Sequence, residues 1–447
     1  MAEKKKKRSS AKTLQTAREA GYFGKKMLES TLSAAKEGRP TAWSMYDWWE
    51  GSVIARAMGI EVVFPENYGA FCAAVGAAEG YLDYCESDGF PATLCGYARN
   101  CLGYTRKLKE NNFNIPADAP GGGMPKPVFL LACGAGCDAR FKWFQALGRY
   151  MDVPVWMLET PQPLTKEYFL EGYNEKNIKF MVKELREFVA FLERLMGKKM
   201  DWDNLSERLD TMLKTHELAY KVDLLRMAVP SPMLSPDFWA VMVPHMYLPD
   251  DKEALAFYQR VYEEVKYKVD HKLGAIPNEK YRLMFAELPP WHTLAFFDEI
   301  AERHGIASVI ESSGYHVPPP LPEESRQGVT DPLELIALYT YHKFTIPVQF
   351  SKEFDTEPPL PYFQWAKDYR VDGFMCHPLI SCRAATYPLM HIRNLLMEKF
   401  KVPSVIVEGD IVDLRVFNEE EAHTKMGAFI ETMDYHRELR KKEGLEW

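Results

Sequence analysis

Long apolar runs are absent from this chain. One of the longest, P-V-F-L-L-A-C at 127–133, falls far short of the roughly 18 residues a membrane-spanning helix needs. An excess of basic charge is missing too: 63 acidic against 55 basic side chains give a formal net charge of −8, which excludes the electrostatic footprint of a nucleic-acid-coating protein. Cysteine is scarce, 8 residues in 447. That excludes a disulfide framework and leaves the thiols available for metal or redox work in a reducing compartment. The opening M-A-E-K-K-K-K-R has the charge of a leader's first region with no apolar stretch behind it, so the expected location is cytoplasmic. Three signatures are also missing: the G-x-x-x-x-G-K-[ST] phosphate loop, the G-x-S-x-G elbow and the paired C-x-x-C motifs of a structural zinc site.

What is present is an alternation of helical patterns with short β-branched or aromatic runs, the pattern of an α/β protein. Strands are expected at Glu61–Phe64, Val128–Ala132, Val155–Leu158, Ala307–Ile310, Thr345–Gln349, Gly373–Cys376 and Ser404–Val407. Each is short and lies near Gly, Pro or a helical segment, as buried parallel strands do. Residues 165–228 carry long amphipathic patterns without a strand signal and read as a helical connector; residues 250–273 repeat that character. Residues 1–20 read as a frayed polar tail ahead of a helix over 20–36. An internal repeat pairs G-I-E-V-V-F-P-E (59–66) with G-I-A-S-V-I-E (305–311). Pro154 and Glu159 also lie 21 and 26 residues after Cys133, as Pro403 and Glu408 do after Cys382. The expected fold is therefore two similar open parallel-sheet halves of Rossmann or flavodoxin-like kind, with ligand-bearing loops at the carboxyl ends of the strands. The divisions are 1–36 (basic tail and N-terminal helix), 37–228 (first half with connector) and 229–447 (second half).

The placement of the cysteines is the most informative feature. Cys133 follows a strand and precedes the helical D-A-R-F-K-W-F-Q-A-L. Cys382 lies between the strand D-G-F-M-C and a helix through H-I-R-N-L-L-M, and Cys95 lies near a helix start in T-L-C-G-Y-A-R. A thiolate at a helix N-terminus is stabilised by the dipole and by free N–H groups, an arrangement that also suits an anionic iron–sulfur cluster. The plain alternative is a small buried hydrophobe, which Cys72, Cys85 and Cys101 fit inside helical patterns and Cys376 fits at a strand end. Cys137, one turn beyond Cys133, is a ligand, a neighbour or a packing residue on this reading.

Eight stretches carry a resemblance: E-G-R-P-T-A-W-S (37–44), F-P-E-N-Y-G-A (64–70), L-C-G-Y-A-R (94–99), F-L-L-A-C-G-A-G-C-D (129–138), P-S-P-M (230–233), E-K-Y-R-L-M (279–284), S-C-R (381–383) and E-G-D-I-V-D-L-R (408–415). Together they resemble the family that joins benzoyl-CoA reductases and 2-hydroxyacyl-CoA dehydratases, nearest to a large cluster-binding subunit of an ATP-dependent benzoyl-CoA reductase. The resemblance implies a [4Fe-4S] cluster held by three cysteines from separate loops, with one iron open. Those cysteines correspond to Cys95, Cys133 and Cys382, which leaves Cys137 outside the ligand set. The family's acid near the cluster corresponds to Glu66. Two departures stand out. Tyr46, followed by Asp47, Trp48 and Trp49, replaces the small hydroxyl residue of the dehydratases, and Leu414 stands where the family has Pro. Tyr46 turns the reading toward ring reduction, with Glu66 and Tyr46 as expected catalytic residues. Tyr46, Trp48 and Trp49 are then either walls of a planar-substrate pocket or ordinary core.

The resemblance thus implies a subunit of a dearomatising benzoyl-CoA reductase that forms a cyclohexadienoyl-CoA in anaerobic aromatic degradation. One-electron reduction of the ring makes a high-energy radical anion; conjugation with the thioester spreads its charge, and fixed donors stabilise it further. Burial and hydrogen bonds to sulfur set the low potential such a cluster needs. With no nucleotide loop in this chain, ATP is used by a separate iron–sulfur activator. Expected partners are a paralogous catalytic subunit, the ATP-hydrolysing activator subunits, ferredoxin as upstream donor and an aromatic acyl-CoA, with no nucleic acid and no membrane. The alternative is a 2-hydroxyacyl-CoA dehydratase subunit working through a ketyl radical; a further one is a structural subunit that completes the heteromer. No CoA-specific motif is visible, and Lys and Arg are spread too evenly to nominate a phosphate site.

Overall fold

The computed structural model describes residues 9–46, 50–134, 137–161, 167, 170–286, 288–311, 316–354, 361–445 and 447. Among them, two four-stranded parallel sheets form the centre of the molecule. The first contains β1 (Thr41–Ser44), β2 (Glu61–Val63), β3 (Phe129–Cys133) and β4 (Val155–Leu158) in the order β2-β1-β3-β4. The second contains β5 (Tyr281–Ala286), β6 (Ile306–Ile310), β7 (Gly373–Cys376) and β8 (Ser404–Ile406) in the order β6-β5-β7-β8. The same order twice gives the two similar α/β halves expected from the repeat. Strands β3, β5, β6 and β7 are buried at every position, as parallel strands covered on both faces are.

The register refines the repeat. Leu130 pairs with Val155 and donates its N–H to Pro154 O at 2.9 Å; Phe374 pairs with Ser404 and donates to Pro403 O at 2.9 Å. The V-P-strand-Glu segments are therefore structural equivalents. In that register Cys133, three residues past Leu130, corresponds to His377, three past Phe374, and not to Cys382. The matching cysteine spacings do not reflect equivalent places in the two halves.

Three further expectations change. Strand β1 lies in a segment where the sequence raises no expectation of a strand; its four residues are too few to show a period. Strand β5 was hidden by Arg282, a charge inside an apolar run. Its buried guanidinium donates from Nε to Tyr369 O (2.5 Å) and from Nη1 to Ala228 O (3.1 Å) and Glu279 (2.6 Å). Thr345–Gln349, expected as a strand, lies within the helix Pro332–Phe354, whose preceding E-L-I-A-L-Y-T-Y run extends through it. The cost of a misleading β-branched run is overridden by helical continuity.

Nor is the N-terminal segment frayed from residue 10 onward. It leads into α1 (Gln15–Glu19) and α2 (Gly21–Lys36), and three carboxylates satisfy its N–H groups. Asp298 accepts from Ser10 Oγ and Ala11 N (2.8 and 2.7 Å), Asp237 from Thr13 N and Oγ1 (both 2.6 Å), and Glu264 from Gln15 N and Thr16 N (2.7 and 2.9 Å). The lysine run falls in residues 1–8, outside the described residues.

The connector forms the helices Tyr173–Met196 and Trp202–Leu225, and Lys252–Asp270 is helical as patterned. Buried Met181, Leu185, Phe188, Val189 and Leu192 make the apolar stripe of the first. Just past the second, Arg226 forks onto Glu311 at the end of β6 with bonds of 2.7 and 2.8 Å, both side chains fully buried. No helix among the described residues is long and apolar enough to cross a membrane.

Candidate functional site

The carboxyl ends of both sheets carry the chemistry-bearing residues. In the first half β1 leads to Tyr46 and, through α3 (Gly51–Ala57), to β2, which leads into α4 (Pro65–Val75), whose first turn holds Glu66 after a Pro suited to that position; α5 (Ala78–Ser87) follows. Cys133 is the last residue of β3, and Cys137 is the N-cap of α7 (Asp138–Met151). Cys95 is the N-cap of α6 (Gly96–Glu110), and in the second half Cys382 stands before the single turn Arg383–Thr386.

Arg140, one turn into α7 and only 6% exposed, organises the first part of the site. Its Nη2 donates to Tyr46 O at 2.6 Å, and its Nε lies 3.5 Å from Glu66. Glu66 in turn accepts the Tyr46 N–H. Burial works against the guanidinium's charge, yet the carboxylate of Glu66, then the thiols of Cys133 and Cys137, hold its pKa above the ordinary value. Tyr46 is half-buried and packs edge-on against Tyr247, with ring centroids 6.3 Å apart.

The second part crosses between the halves. Gly96 N–H donates to Ser381 Oγ at 3.1 Å, and Ser381 donates to Asp410. Asp410 Oδ1 also accepts from Val412 N and Asp413 N at 3.0 and 2.9 Å, an Asx-type turn. Arg99, in the next turn of α6, reaches Asp413 at 3.2 Å and Glu86 at 2.8 Å. These contacts fasten the helix behind Cys95 to the loops around Cys382. A Cβ on Gly96 would lie 2.7 Å from Asp410 Oδ1, so the approach requires glycine.

Burial raises the pKa of the Cys95 thiol; the Ala98 N–H at the helix start opposes it, and the nearby thiols of Cys382 and Cys137 raise it further. The Cys137 thiol is also raised by burial, with Arg140 opposing. The structure thus groups Cys95 with Cys382 and Cys137, and groups Cys133 and Cys137 with Glu66 and Tyr46 around Arg140. Cys72, Cys85, Cys101 and Cys376 are buried packing residues, and burial pushes the first two thiols up to about 12. Asp47, Trp48 and Trp49 lie outside the described residues.

The donor set can be tested against a metal group. Three thiolates on one tetrahedral ion stand about 3.8 Å apart. No three cysteine sulfurs among the described residues lie within 4.8 Å of one another, so a mononuclear site does not fit. Soft thiolates carried on separate loops are the donor type that a larger, polynuclear group takes. Gly134, right after Cys133, lets the Glu159 carboxylate come close: a Cβ there would meet Glu159 Oε2 at 2.4 Å. One trio of single-ion geometry, Glu299, Glu419 and His423, lies elsewhere; its Glu299 already pairs with Arg303 and His423, both at 2.9 Å.

Sequence reasoning missed Arg140, Ser381 and Asp410 as members of the site. D-A-R, S-C-R and E-G-D were visible as motifs, but nothing local says that their side chains meet Glu66 and the Cys95 helix.

A family model described as 2-hydroxyglutaryl-CoA dehydratase, D-component, matches residues 52–433. The chain is 24% identical to the (R)-2-hydroxyisocaproyl-CoA dehydratase alpha subunit of Clostridioides difficile, over 93% of this chain and 95% of that protein. It is 24% identical to the (R)-phenyllactyl-CoA dehydratase alpha subunit of Clostridium sporogenes, over 90% and 91%. A benzoyl-CoA reductase subunit of Thauera aromatica is also 24% identical, over 79% of each chain.

Proposed function

Since this chain belongs to the 2-hydroxyglutaryl-CoA dehydratase, D-component, family, we propose that it is a subunit of a 2-hydroxyacyl-CoA dehydratase-type enzyme working with partner subunits. The observation that carries this reading is the cross-half junction: the helix start at Cys95 is tied to the loop before Cys382, 287 residues away, through Gly96, Ser381 and Asp410. Coverage favours the dehydratase over the reductase, because the two dehydratase subunits align over at least 90% of both chains and the reductase subunit over 79%.

Cys95, Cys133 and Cys382 would hold a [4Fe-4S] cluster, and Cys137 stays outside the set. When bound, that group supplies single low-potential electrons to the acyl thioester. The chain's own residues then position and protonate. Glu66, oriented by the Tyr46 N–H and by Arg140, gives or takes a proton at the substrate. Arg140 keeps a fixed positive charge beside the developing anion. The aromatic surface of Tyr46 and Tyr247 keeps water from the reacting carbon. ATP hydrolysis is assigned to a separate activator, since this chain carries no phosphate loop.

A second reading, ring reduction of benzoyl-CoA, is favoured by one observation: Tyr46 places a phenol ring against Tyr247 where the dehydratase pattern expects a small hydroxyl residue. The test is anaerobic reconstitution with partner subunit and activator. Release of water from an (R)-2-hydroxyacyl-CoA supports the lead reading, dienoyl-CoA formation from benzoyl-CoA supports the second, and an iron-free chain with neither activity refutes both.

A further inference from the structure

Two helices of the second half bring together three metal-ligating side chains that the acyl-CoA reading leaves unused. Glu299 lies on the helix Ala295–His304, and Glu419 and His423 lie on the helix Glu419–Glu443. One ligand atom from each stands within 4.8 Å of the other two. Glu419 and His423 are four residues apart, so they share a face of their helix, a spacing by which a helix offers two ligands to one ion. Glu299 approaches from the other helix. Donors bound to one zinc ion stand about 3.4 Å apart. Rotation of the two long carboxylate side chains supplies the remaining closure.

The histidine distinguishes a ligand set from a plain ion pair. Its Nε2 lies 2.9 Å from Glu299 Oε2, yet neither ring nitrogen makes a hydrogen bond among the described residues, and both are screened from water. A charged His–Glu pair would aim an N–H at the carboxylate. Two ligands of one ion come close without aiming at each other. An ion held at about 2.0–2.1 Å needs no water-sized cavity between its ligands. Phe296 packs against the imidazole, with ring centroids 5.0 Å apart, and fixes its place. Arg303 does not block the site: it meets Glu299 Oε2 at 2.9 Å as a half-exposed i,i+4 pair, a weak class of contact. A carboxylate also has lone pairs enough for a guanidinium and an ion together.

We infer that Glu299, Glu419 and His423 bind one divalent ion of borderline softness, with zinc the best match, and that this ion staples the two helices. One imidazole with two carboxylates suits such an ion and balances its charge, whereas magnesium and calcium take oxygen ligands. The staple lies behind the junction between the halves. Phe296 packs on Phe417 (6.1 Å between centroids), Phe417 packs on His292 (5.7 Å), and His292 Nε2 bonds Asp410 O at 3.0 Å. The ion therefore braces the loop from which Asp410 holds Ser381.

The test is zinc binding to the full, anaerobically purified chain, read as metal per chain after gel filtration, with magnesium as the hard-cation control. Cysteine thiols also take zinc, so the reading is the difference between the parent and His423→Gln, which keeps every cysteine. The parent should hold one zinc more than the variant, and zinc should raise the melting temperature of the parent more than that of the variant. Affinity at this site should fall more than roughly tenfold, since even an outer-shell partner is worth that much. Glu419→Gln, in the first turn of its helix, should lose the same ion and serves if His423→Gln does not fold. Equal zinc in the parent and in either folded variant overturns the inference. Magnesium bound as tightly as zinc and unmoved by His423→Gln also overturns it, because that marks an acidic patch only. No turnover is measured, so failure here leaves the acyl-CoA reading standing.

Discussion

Gly96→Ala is the sharpest test of the junction between the halves. An ideal Cβ at Gly96 lies 2.7 Å from Asp410 Oδ1 and 3.1 Å from Val412 Cβ, where ordinary contact begins at 3.4 Å. Helix α6 and the Asp410 loop must therefore part by about 0.7 Å (3.4 − 2.7). Asp410 cannot swing away cheaply, because it is 1% exposed and held by Ser381, Val412 N and Asp413 N. Overpacking of this kind costs about 1–3 kcal/mol. Loosening the Gly96 N–H bond to Ser381 adds about 1 kcal/mol. The same displacement moves Cys95 away from Cys382, and a site of this kind tolerates only about 0.5 Å. The expected result is a folded variant by far-UV circular dichroism, with a lower melting temperature and less iron per chain after anaerobic purification. Gly80→Ala is the control: its Cβ meets nothing within 4 Å, and alanine favours a helix. Unchanged melting temperature and iron content in Gly96→Ala would refute the close-contact argument.

Other outcomes follow from the same geometry. Cys133→Ala and Cys382→Ala should each strip most of the iron, while Cys72→Ala, buried inside α4, should keep it; equal losses from all three would sink the ligand assignment. Tyr46→Ser should shift the reconstituted enzyme toward dehydration with its iron count unchanged, and equal benzoyl-CoA reduction in both forms would dismiss an aromatic-pocket role for Tyr46. Glu311→Gln leaves Arg226 buried opposite a neutral amide, which should cost about 3–5 kcal/mol in urea unfolding; a loss below about 1 kcal/mol contradicts the role given to that pair. Acid stability has a definite sign. Burial lowers His216 and His245 from 6.5 to about 3, and His377 from 6.5 to about 4. The unfolded chain therefore takes up protons first as pH falls below 6.5. The stability these histidines contribute is intact above that pH and is lost toward their folded-state values, with a slope approaching about 1.4 kcal/mol per pH unit each. Denaturant midpoints that stay flat between pH 7 and 5 would contradict this.

The α/β class, the doubled arrangement and most of the strands were legible because they rest on local period and turn residues, which a chain carries in its own order. The placement of several cysteines was legible for the same reason: Cys95 and Cys382 stand at helix starts, while Cys72, Cys85 and Cys101 sit inside helices. What local pattern could not decide is whatever depends on a distant partner. Strand β5 contains Arg282, whose buried charge is met by the nearby Glu279 and by carbonyls that Tyr369 and Ala228 bring from far along the chain. Cys133 corresponds to His377 because strand register, not residue spacing, sets equivalence. Arg140 reaches Tyr46 across 94 residues, and Ser381 reaches Gly96 across 285. The N-terminal segment docks on Asp237, Glu264 and Asp298, more than 220 residues away in sequence. Such contacts form only when long loops close, and their entropic cost is offset by burial of the whole core rather than by any signal in one segment.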